Sequence, residues 1–553
     1  VVRTCISLLT RTFFVADEYY QSLEPAHHAV FGYGDLTWEW IAPQPIRSFL
    51  FPAVYVPVFY LLKLLRLDTT RALIWAPKLL AAAFAAVTDY SVYHLASAVL
   101  GQAYSSAALL LSLTSFFNVW SLSRSLSNSV ETSFTVLALA YFPWEQGSAR
   151  TLRPCLSVAA VACALRPTNA IIWAAFFLLY YLDGHETFLS LATAALPVAI
   201  PALVTLFAVD SIYFGRPILT ALNFFHTNLN VSVFYGKSPW YFYFASLPLL
   251  LFTALPFALI GWYKAIRGSY GHEVRRLAIL VCIPLAIYSS VGHKEWRFIH
   301  PILPILHVLT AKVLVDLYFT SRRVPHKLFV RKTHVTLLML SLPLAIYAMR
   351  YHGRGQIGVM YYLRRIARSP GELNSVGFVM PSHSTPWQAY LHEPALEGGR
   401  LWALGSEPPL RHEKLSTYKD HTQIFYHDPI RYFQTFFPPT VNPSFPPSTR
   451  PMTPPGEAPP SLNEAYSGSL LLDWDDDQHP ERGNNTRKAW EHEWPSHLVL
   501  FDALLHVRSD PRKNETVRGL LLKLGYVEVW TSGWNGFQPD KRKKGEVKVW
   551  RWS

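Results

Sequence analysis

Asp17, Glu18, Glu24, His27, His28, Asp35 and Glu39 fall within 24 residues of one polar stretch, with Tyr19, Tyr20, Tyr33, Trp38 and Trp40 among them. A carboxylate at the mouth of a membrane helix suits general-base work on a sugar hydroxyl. Aromatic rings among carboxylates suit the sugar itself, whose C–H faces stack while its hydroxyls need acceptors. Glu24, His28, Trp38 and Glu39 are the candidates for that contact. If residues 17–31 are helical, Asp17, Gln21, Glu24 and His28 lie at spacings of 4, 3 and 4 and share one face. The same spacing also fits an amphipathic interfacial helix with solvated charges and an aromatic belt.

A second constellation, His293-Lys294-Glu295-Trp296-Arg297-Phe298, directly follows an apolar run. Lys and Arg are natural phosphate partners at a membrane interface, which makes His293, Lys294 and Arg297 candidates for a phosphate leaving group. The alternative is that Lys294 and Arg297 anchor a helix end by snorkelling. A third polar, aromatic segment, Asp210 to Tyr243, contributes Asn223 as a further sugar-binding candidate and the glycosylation pattern Asn230-Val231-Ser232.

Apolar runs must position these segments. The chain has 553 residues, 51% apolar and 16% charged, and the apolar residues concentrate in 1–350. Ala72 to Leu100 carries one Lys, one Asp and one His and is long enough to span hydrocarbon. Several such runs make an α-helical polytopic membrane protein. Further spans are expected at 49–65, 103–120, 132–143, 152–182, 187–209, 244–263, 277–292 and 333–349, with the 299–315 run after the charged loop. The first apolar segment, 1–15, is short and carries Arg3 and Arg11. Arg166-Pro167 interrupts 152–182; Pro kinks a helix there, and a buried Arg needs a cavity or a partner. Basic residues cluster in short loops (Lys63/Arg66/Arg71, Lys264/Arg267/Arg275/Arg276, Arg322/Arg323/Lys327/Arg331/Lys332), the pattern of loops retained in the cytoplasm. The net charge of +13 therefore reads as topology rather than nucleic-acid binding. With those loops cytoplasmic, loops 16–48, 210–243 and 293–297 and the domain 351–553 share the opposite side, and the charges at 63–66 mark the cytoplasmic end of the 49–65 span.

Residues 351–553 read as a small mixed α/β domain with strands at 375–380, 400–404, 527–531 and 546–552. Helices are expected at 498–506 and 511–524, the latter capped by Asp510 and stopped at Gly525. A Pro/Ser/Thr-rich stretch, 437–465, reads as a flexible insertion. Asn484-Asn485-Thr486 and Asn514-Glu515-Thr516 are further glycosylation patterns. Cys5, Cys155, Cys163 and Cys282 all lie in apolar segments with no ligand spacing, and no metal-ligand cluster is evident. The chain starts with Val1 inside an apolar segment, so an N-terminal piece is expected to precede it.

The motif HKEWRFIHPILP resembles the HKE-R-F-x-x-P signature of the endoplasmic-reticulum α-mannosyltransferases that use dolichyl phosphate mannose. The stretch DEYYQSLEPAHHAVFGYGDLTWEW followed by PIRSF resembles the first lumenal loop of the same family, which carries an acidic pair. DEYYQSLEPAHH, LTALNFFHTNLNVSVFYGKSPWYFY and MPSHSTP at 380–386 resemble the members that act on the GPI precursor rather than on N-glycans. Trp296 stands where many members carry a second acidic residue, and the Pro-rich insertion departs from the family pattern. The resemblance implies a GT-C fold, an endoplasmic-reticulum membrane location with a lumenal active site, and no cofactor beyond the donor substrate. It implies inverting transfer of mannose from dolichyl phosphate mannose to the second mannose of a GPI-precursor glycolipid, in α-1,2 linkage. Asp17 is then the expected base, with Glu18 beside it, and His293, Lys294 and Arg297 hold the donor phosphate; no metal is expected. Alternatives are an α-1,2-mannosyltransferase of lipid-linked N-glycan assembly, a non-catalytic subunit of a glycosylation complex, and a lipid or sugar transporter without chemistry.

Overall fold

The computed structural model describes residues 1–144, 149–184, 186–321, 328–408, 420–448, 492–508 and 515–553, without the side chains of 149–150, 228–233 and 321. Asn484, Asn514, Asp510 and the 449–465 part of the Pro-rich stretch lie outside the described residues, as do Arg322, Arg323 and Lys327 and the Asn230 side chain. Two compact units emerge. One comprises 1–10, 48–54 and 75–349; the other comprises 11–47, 55–74 and 350–553.

The first unit is helical. Five helical stretches among the described residues are long and apolar enough to cross a membrane: Ala72–Leu100, Phe188–Phe214, Phe242–Ile266, Trp296–Thr320 and Lys332–Ile366, the last in three pieces, Lys332–Met339, Ser341–Arg350 and, in the second unit, Arg354–Ile366. The expected span at 49–65 is not among them. It forms two pieces, Leu50–Ala53 and Val56–Leu64, and nine residues at about 1.5 Å each reach less than half of a bilayer core. Pro57 lacks the N–H that would reach back to the Ala53 carbonyl and join the pieces. The 63–66 charges therefore do not mark the end of a span: Lys63 Nζ donates to the Val30 carbonyl at 2.7 Å, and 55–74 folds with the second unit.

At 152–182 the chain breaks into Arg153–Leu165 and Ala170–Leu182, joined by one tight turn at Pro167–Asn169. Arg166 is extended (φ −149°, ψ 102°), as the residue before a proline prefers. Its charge has the partner it needs. The guanidinium pairs with Glu131 at 3.1 Å, and Asn169 donates to the same carboxylate at 2.9 Å. Arg3 is satisfied in the same way by Asp89 at 2.7 Å and by the carbonyls of Ser112 and Asn118. These buried ions persist because each carries both a countercharge and hydrogen bonds.

The second unit is built on a five-stranded sheet of order β2-β1-β3-β5-β4. The strands are β1 (Val376–Phe378), β2 (Leu401–Ala403), β3 (His497–Phe501), β4 (Tyr526–Thr531) and β5 (Val547–Trp552). β1 runs parallel to β2 and β3, and β5 pairs antiparallel with β3 and β4. Trp402, Phe425, Phe433, Trp494, Leu498, Leu521 and Trp550 fill one core beside it. The run 498–506 is a strand followed by the single turn Asp502–Leu505, not a helix. As the central strand, β3 is buried on both faces, so its apolar residues do not alternate. The second expected helix is shorter, Val517–Lys523, and Thr516 caps it by accepting from the Gly519 N–H. Residues 437–448 are held rather than loose: Phe437 and Phe445 are buried, and the Trp494 indole donates to the Pro438 carbonyl at 2.7 Å.

Candidate functional site

The acid pair lies in the second unit, on a helical stretch that changes pitch. Asp17 and Glu18 begin it, Tyr19–Leu23 is a π-helical turn, and Glu24–Phe31 is α-helical. Pro25 supplies no N–H to the preceding turn, and the Glu24 N–H reaches back five residues to the Tyr19 carbonyl. The extra residue per turn breaks the expected common face. Gln21 Nε2 meets the Glu39 carboxylate at 3.1 Å, which also holds Arg47 at 2.7 Å, whereas Glu24 turns elsewhere. Asp17 is half-buried and Glu18 is 6% exposed.

Residues of the 380–392 stretch in the same unit fix this helix. Tyr20 donates to the Thr385 carbonyl at 3.2 Å and packs edge-on against His383, inside the MPSHSTP motif. Tyr19 packs edge-on against Tyr390 at 5.4 Å. Glu24 is fully buried and accepts from the backbone N–H groups of Ala389 at 2.8 Å, Gln388 at 3.1 Å and Asp35 at 3.2 Å. Gly34 (φ +126°) is the residue that fits beside it, since a Cβ there would lie 2.7 Å from Glu24 Oε1. Its carboxylate thus caps the short helix Gln388–Leu391, a structural duty for a residue whose type suggested a sugar contact. His28 is half-buried, Trp38 is buried and Glu39 is ion-paired.

Burial pushes the Glu24 carboxyl up from 4.5 to about 8, against the opposing pull of the three backbone donors. Between those values the folded chain keeps a proton that the unfolded chain has released. The contribution to stability is therefore complete below pH 4.5 and is lost as the pH rises through about 8. Glu24→Gln mimics the protonated acid. The difference in thermal midpoint between wild type and variant is expected to move in the variant's favour from pH 5 to pH 8. A difference independent of pH would show that Glu24 stays ionised.

The cationic loop lies in the first unit, and there the structure joins two of the polar segments. The Ser238 N–H donates to the Gly292 carbonyl at 3.0 Å, and Lys294 Nζ donates to the carbonyls of Ser238, at 3.0 Å, and Val291. His293 Nδ1 lies 3.4 Å from the Gly236 carbonyl. Arg297 grips Glu295 with two donors, Nε and Nη2, each at 2.7 Å, and His293 Nε2 stands 3.1 Å from the same carboxylate. Burial alone would raise the Glu295 carboxyl, but the Arg297 guanidinium and the His293 imidazole outweigh it and hold it below the usual carboxylate range. One carboxylate thus orients Arg297 and His293, and with Lys294 on its backbone carbonyls the loop sets two full cations and an imidazole against it. That excess suits an anionic group. Arg166 lies behind the loop, its guanidinium 5.5 Å from the Phe298 ring, which also faces Arg297 at 5.6 Å.

Asn223 sits half-buried on the helix Thr220–Val231. The acid pair belongs to one unit and the cationic loop to the other. Sequence reasoning did not find the Glu131–Arg166 pair or the Glu24 cap. The signal for the first was an Arg in an apolar run, which demands a countercharge; the second rests on residues more than 360 positions apart. Among the described residues no group of three or more His, Cys, Asp or Glu side chains is arranged to hold a metal ion.

Residues 1–392 match the Alg9-like mannosyltransferase family. The chain is 34% identical to GPI mannosyltransferase 3 of Yarrowia lipolytica over 99% of its own length and 95% of that protein's. It is 36% identical to GPI alpha-1,2-mannosyltransferase 3 of Mus musculus over 78% of this chain and 76% of the mouse protein. Among solved structures, apo ArnT from Cupriavidus metallidurans superposes with a TM-score of 0.53 at 13% identity, covering 79% of this chain and 88% of ArnT. The undecaprenyl phosphate-bound form of ArnT gives 0.50 at 14% identity, with 99% and 96% covered. At such identity the likeness concerns the fold, which is that of the GT-C membrane glycosyltransferases.

Proposed function

The chain belongs to the Alg9-like mannosyltransferase family, and from that premise we propose that it transfers mannose from dolichyl phosphate mannose to the second mannose of the GPI precursor, in α-1,2 linkage. The observation that carries this reading is the 34% identity to GPI mannosyltransferase 3 of Yarrowia lipolytica over 99% of the chain, both candidate loops included. The donor is a β-mannosyl phosphate and the product an α-mannoside, so the reaction inverts in a single displacement. The acceptor oxygen attacks the anomeric carbon as the bond to the phosphate oxygen breaks, and dolichyl phosphate leaves. A base takes the acceptor proton on the face opposite the leaving group. Asp17 is assigned to that task, with Glu18 buried beside it. Developing charge on the phosphate is met by Arg297 and His293, both oriented by Glu295, and by Lys294, held by the carbonyls of Ser238 and Val291. No metal or other cofactor is assigned. The active site is placed on the lumenal side of the endoplasmic-reticulum membrane.

The test is transfer in vitro, with purified full-length protein, labelled dolichyl phosphate mannose, and GPI intermediates carrying one, two or three mannoses. Label is expected only on the two-mannose acceptor, in a linkage cut by an α-1,2-mannosidase. Transfer to N-glycan lipid intermediates instead, or binding without transfer, would overturn the assignment.

A further inference from the structure

The second unit holds a cleft of about 450 Å³ lined by Arg71, Arg364, Arg365 and Arg368, with Tyr362 and Trp530 among its walls. Among the described residues no carboxylate lines it. Two of the arginines build the cleft. Arg364, buried, donates to the carbonyls of Tyr390 at 3.1 Å, Asp68 at 2.9 Å and Thr70 at 2.8 Å, and Arg368 donates to Thr69 at 3.1 Å. These bonds fix the 68–70 turn and with it the position of Arg71 at the rim. The other two, Arg71 and Arg365, are exposed. Arg365 lies 5.6 Å from the Tyr362 ring, which stacks on Trp530 at 5.4 Å. Asp68, the nearest acid in sequence, is engaged with His392 at 3.2 Å.

Chain continuity fixes where such a cleft lies. Arg71 immediately precedes the membrane-length helix Ala72–Leu100, and Arg364, Arg365 and Arg368 stand at the end of the separate helix Arg354–Ile366, which follows the apolar helix Ser341–Arg350 after Gly353 at φ +81°. The Arg71 boundary falls at the level where lipid headgroups meet water, and Tyr and Trp are the aromatic residues favoured at that level. Because 63–71 is not the cytoplasmic end of a short span, its positive charge calls for another reason. Four guanidinium groups in one cleft repel one another until an anion joins them, and the planar fork of Arg matches phosphate oxygens.

We propose that this cleft is a binding site for the phosphodiester headgroup of an anionic membrane phospholipid. Arg71 and Arg365 hold the phosphate, and the Tyr362–Trp530 pair forms the wall against which the rest of the headgroup packs. The site is independent of mannose transfer, and its test uses no turnover.

The full chain, purified in non-ionic detergent and stripped of lipid, is titrated with dioctanoyl phosphatidylserine, which lacks the inositol of the GPI acceptor, and with inorganic phosphate, and binding is followed by calorimetry. Wild type is expected to bind the lipid, more weakly as salt rises from about 50 to about 300 mM. Losing two charge-assisted contacts should weaken binding in R71Q/R365Q by on the order of 10²-fold. R71K/R365K should recover part of it, and Trp530→Leu should weaken binding without changing its salt dependence. Both arginines are exposed, so an unchanged lipid-free thermal midpoint is expected to accompany these losses. Equal lipid affinity in wild type and R71Q/R365Q would overturn the proposal. Inorganic phosphate that binds as tightly as the lipid and displaces it would make this a free-phosphate site and overturn the lipid assignment.

Discussion

Asp17→Asn is expected to lower mannose transfer by about 10²–10⁴-fold, the usual cost of removing a general base, with protein level and thermal midpoint unchanged. The variant keeps the shape and most of the hydrogen bonding of the side chain but cannot take the acceptor's proton. Structure separates Asp17 from its neighbour. Asp17 is half-buried and retains access to solvent, whereas Glu18 is 6% exposed and its backbone carbonyl accepts the Ser22 hydroxyl at 2.7 Å inside the helical turn. Glu18→Gln is therefore expected to be milder in rate and more visible in stability, as for a residue that positions another. The reverse ranking would transfer the base role to Glu18 and leave the reaction class intact. Wild-type turnover in both single variants and the double variant would remove the pair from the mechanism.

Helix placement was largely legible because long apolar runs admit few alternatives: 72–98, 187–209 and 244–263 became Ala72–Leu100, Phe188–Phe214 and Phe242–Ile266. The readings failed where tertiary contacts overrode local pattern. At 49–65 the composition satisfied a span, yet Pro57 and the Lys63–Val30 bond commit Val56–Leu64 to the second unit. The common face of Asp17, Gln21, Glu24 and His28 assumed a constant 3.6-residue pitch, which the π-turn at Tyr19–Leu23 does not keep. Residue types marked the acidic and cationic loops as chemical. They carried no information that Glu24 would cap a helix at 388–391, because that bond depends on a backbone fold hundreds of residues away. At 293–298 the sequence showed three neighbouring charges. Only the folded loop shows that Glu295 organises Arg297 and His293, with Lys294 directed to the carbonyls of Ser238 and Val291.

That division of labour makes the second large effect specific to one cation. Arg297→Ala is expected to lower turnover by about 10²–10³-fold, the cost of losing a preorganised donor to developing charge. Arg297→Lys keeps the charge but cannot reproduce the Nε and Nη2 grip on Glu295, so it should restore only part of the rate. Lys294→Ala acts differently. Its ammonium ties residues 291 and 238 together, so its loss should loosen the loop and raise KM for the donor more than it lowers kcat. Glu295→Gln removes the carboxylate that His293 and Arg297 share, and the two side chains lose their common orientation. A helix-anchoring role predicts a different order: Lys294 and Arg297 would be interchangeable in effect, Arg297→Lys would be silent, and kcat would stand in all four variants. Steady-state kinetics in donor and acceptor therefore separates a leaving-group site from an anchor, and unchanged kcat in Arg297→Ala would leave only the anchor.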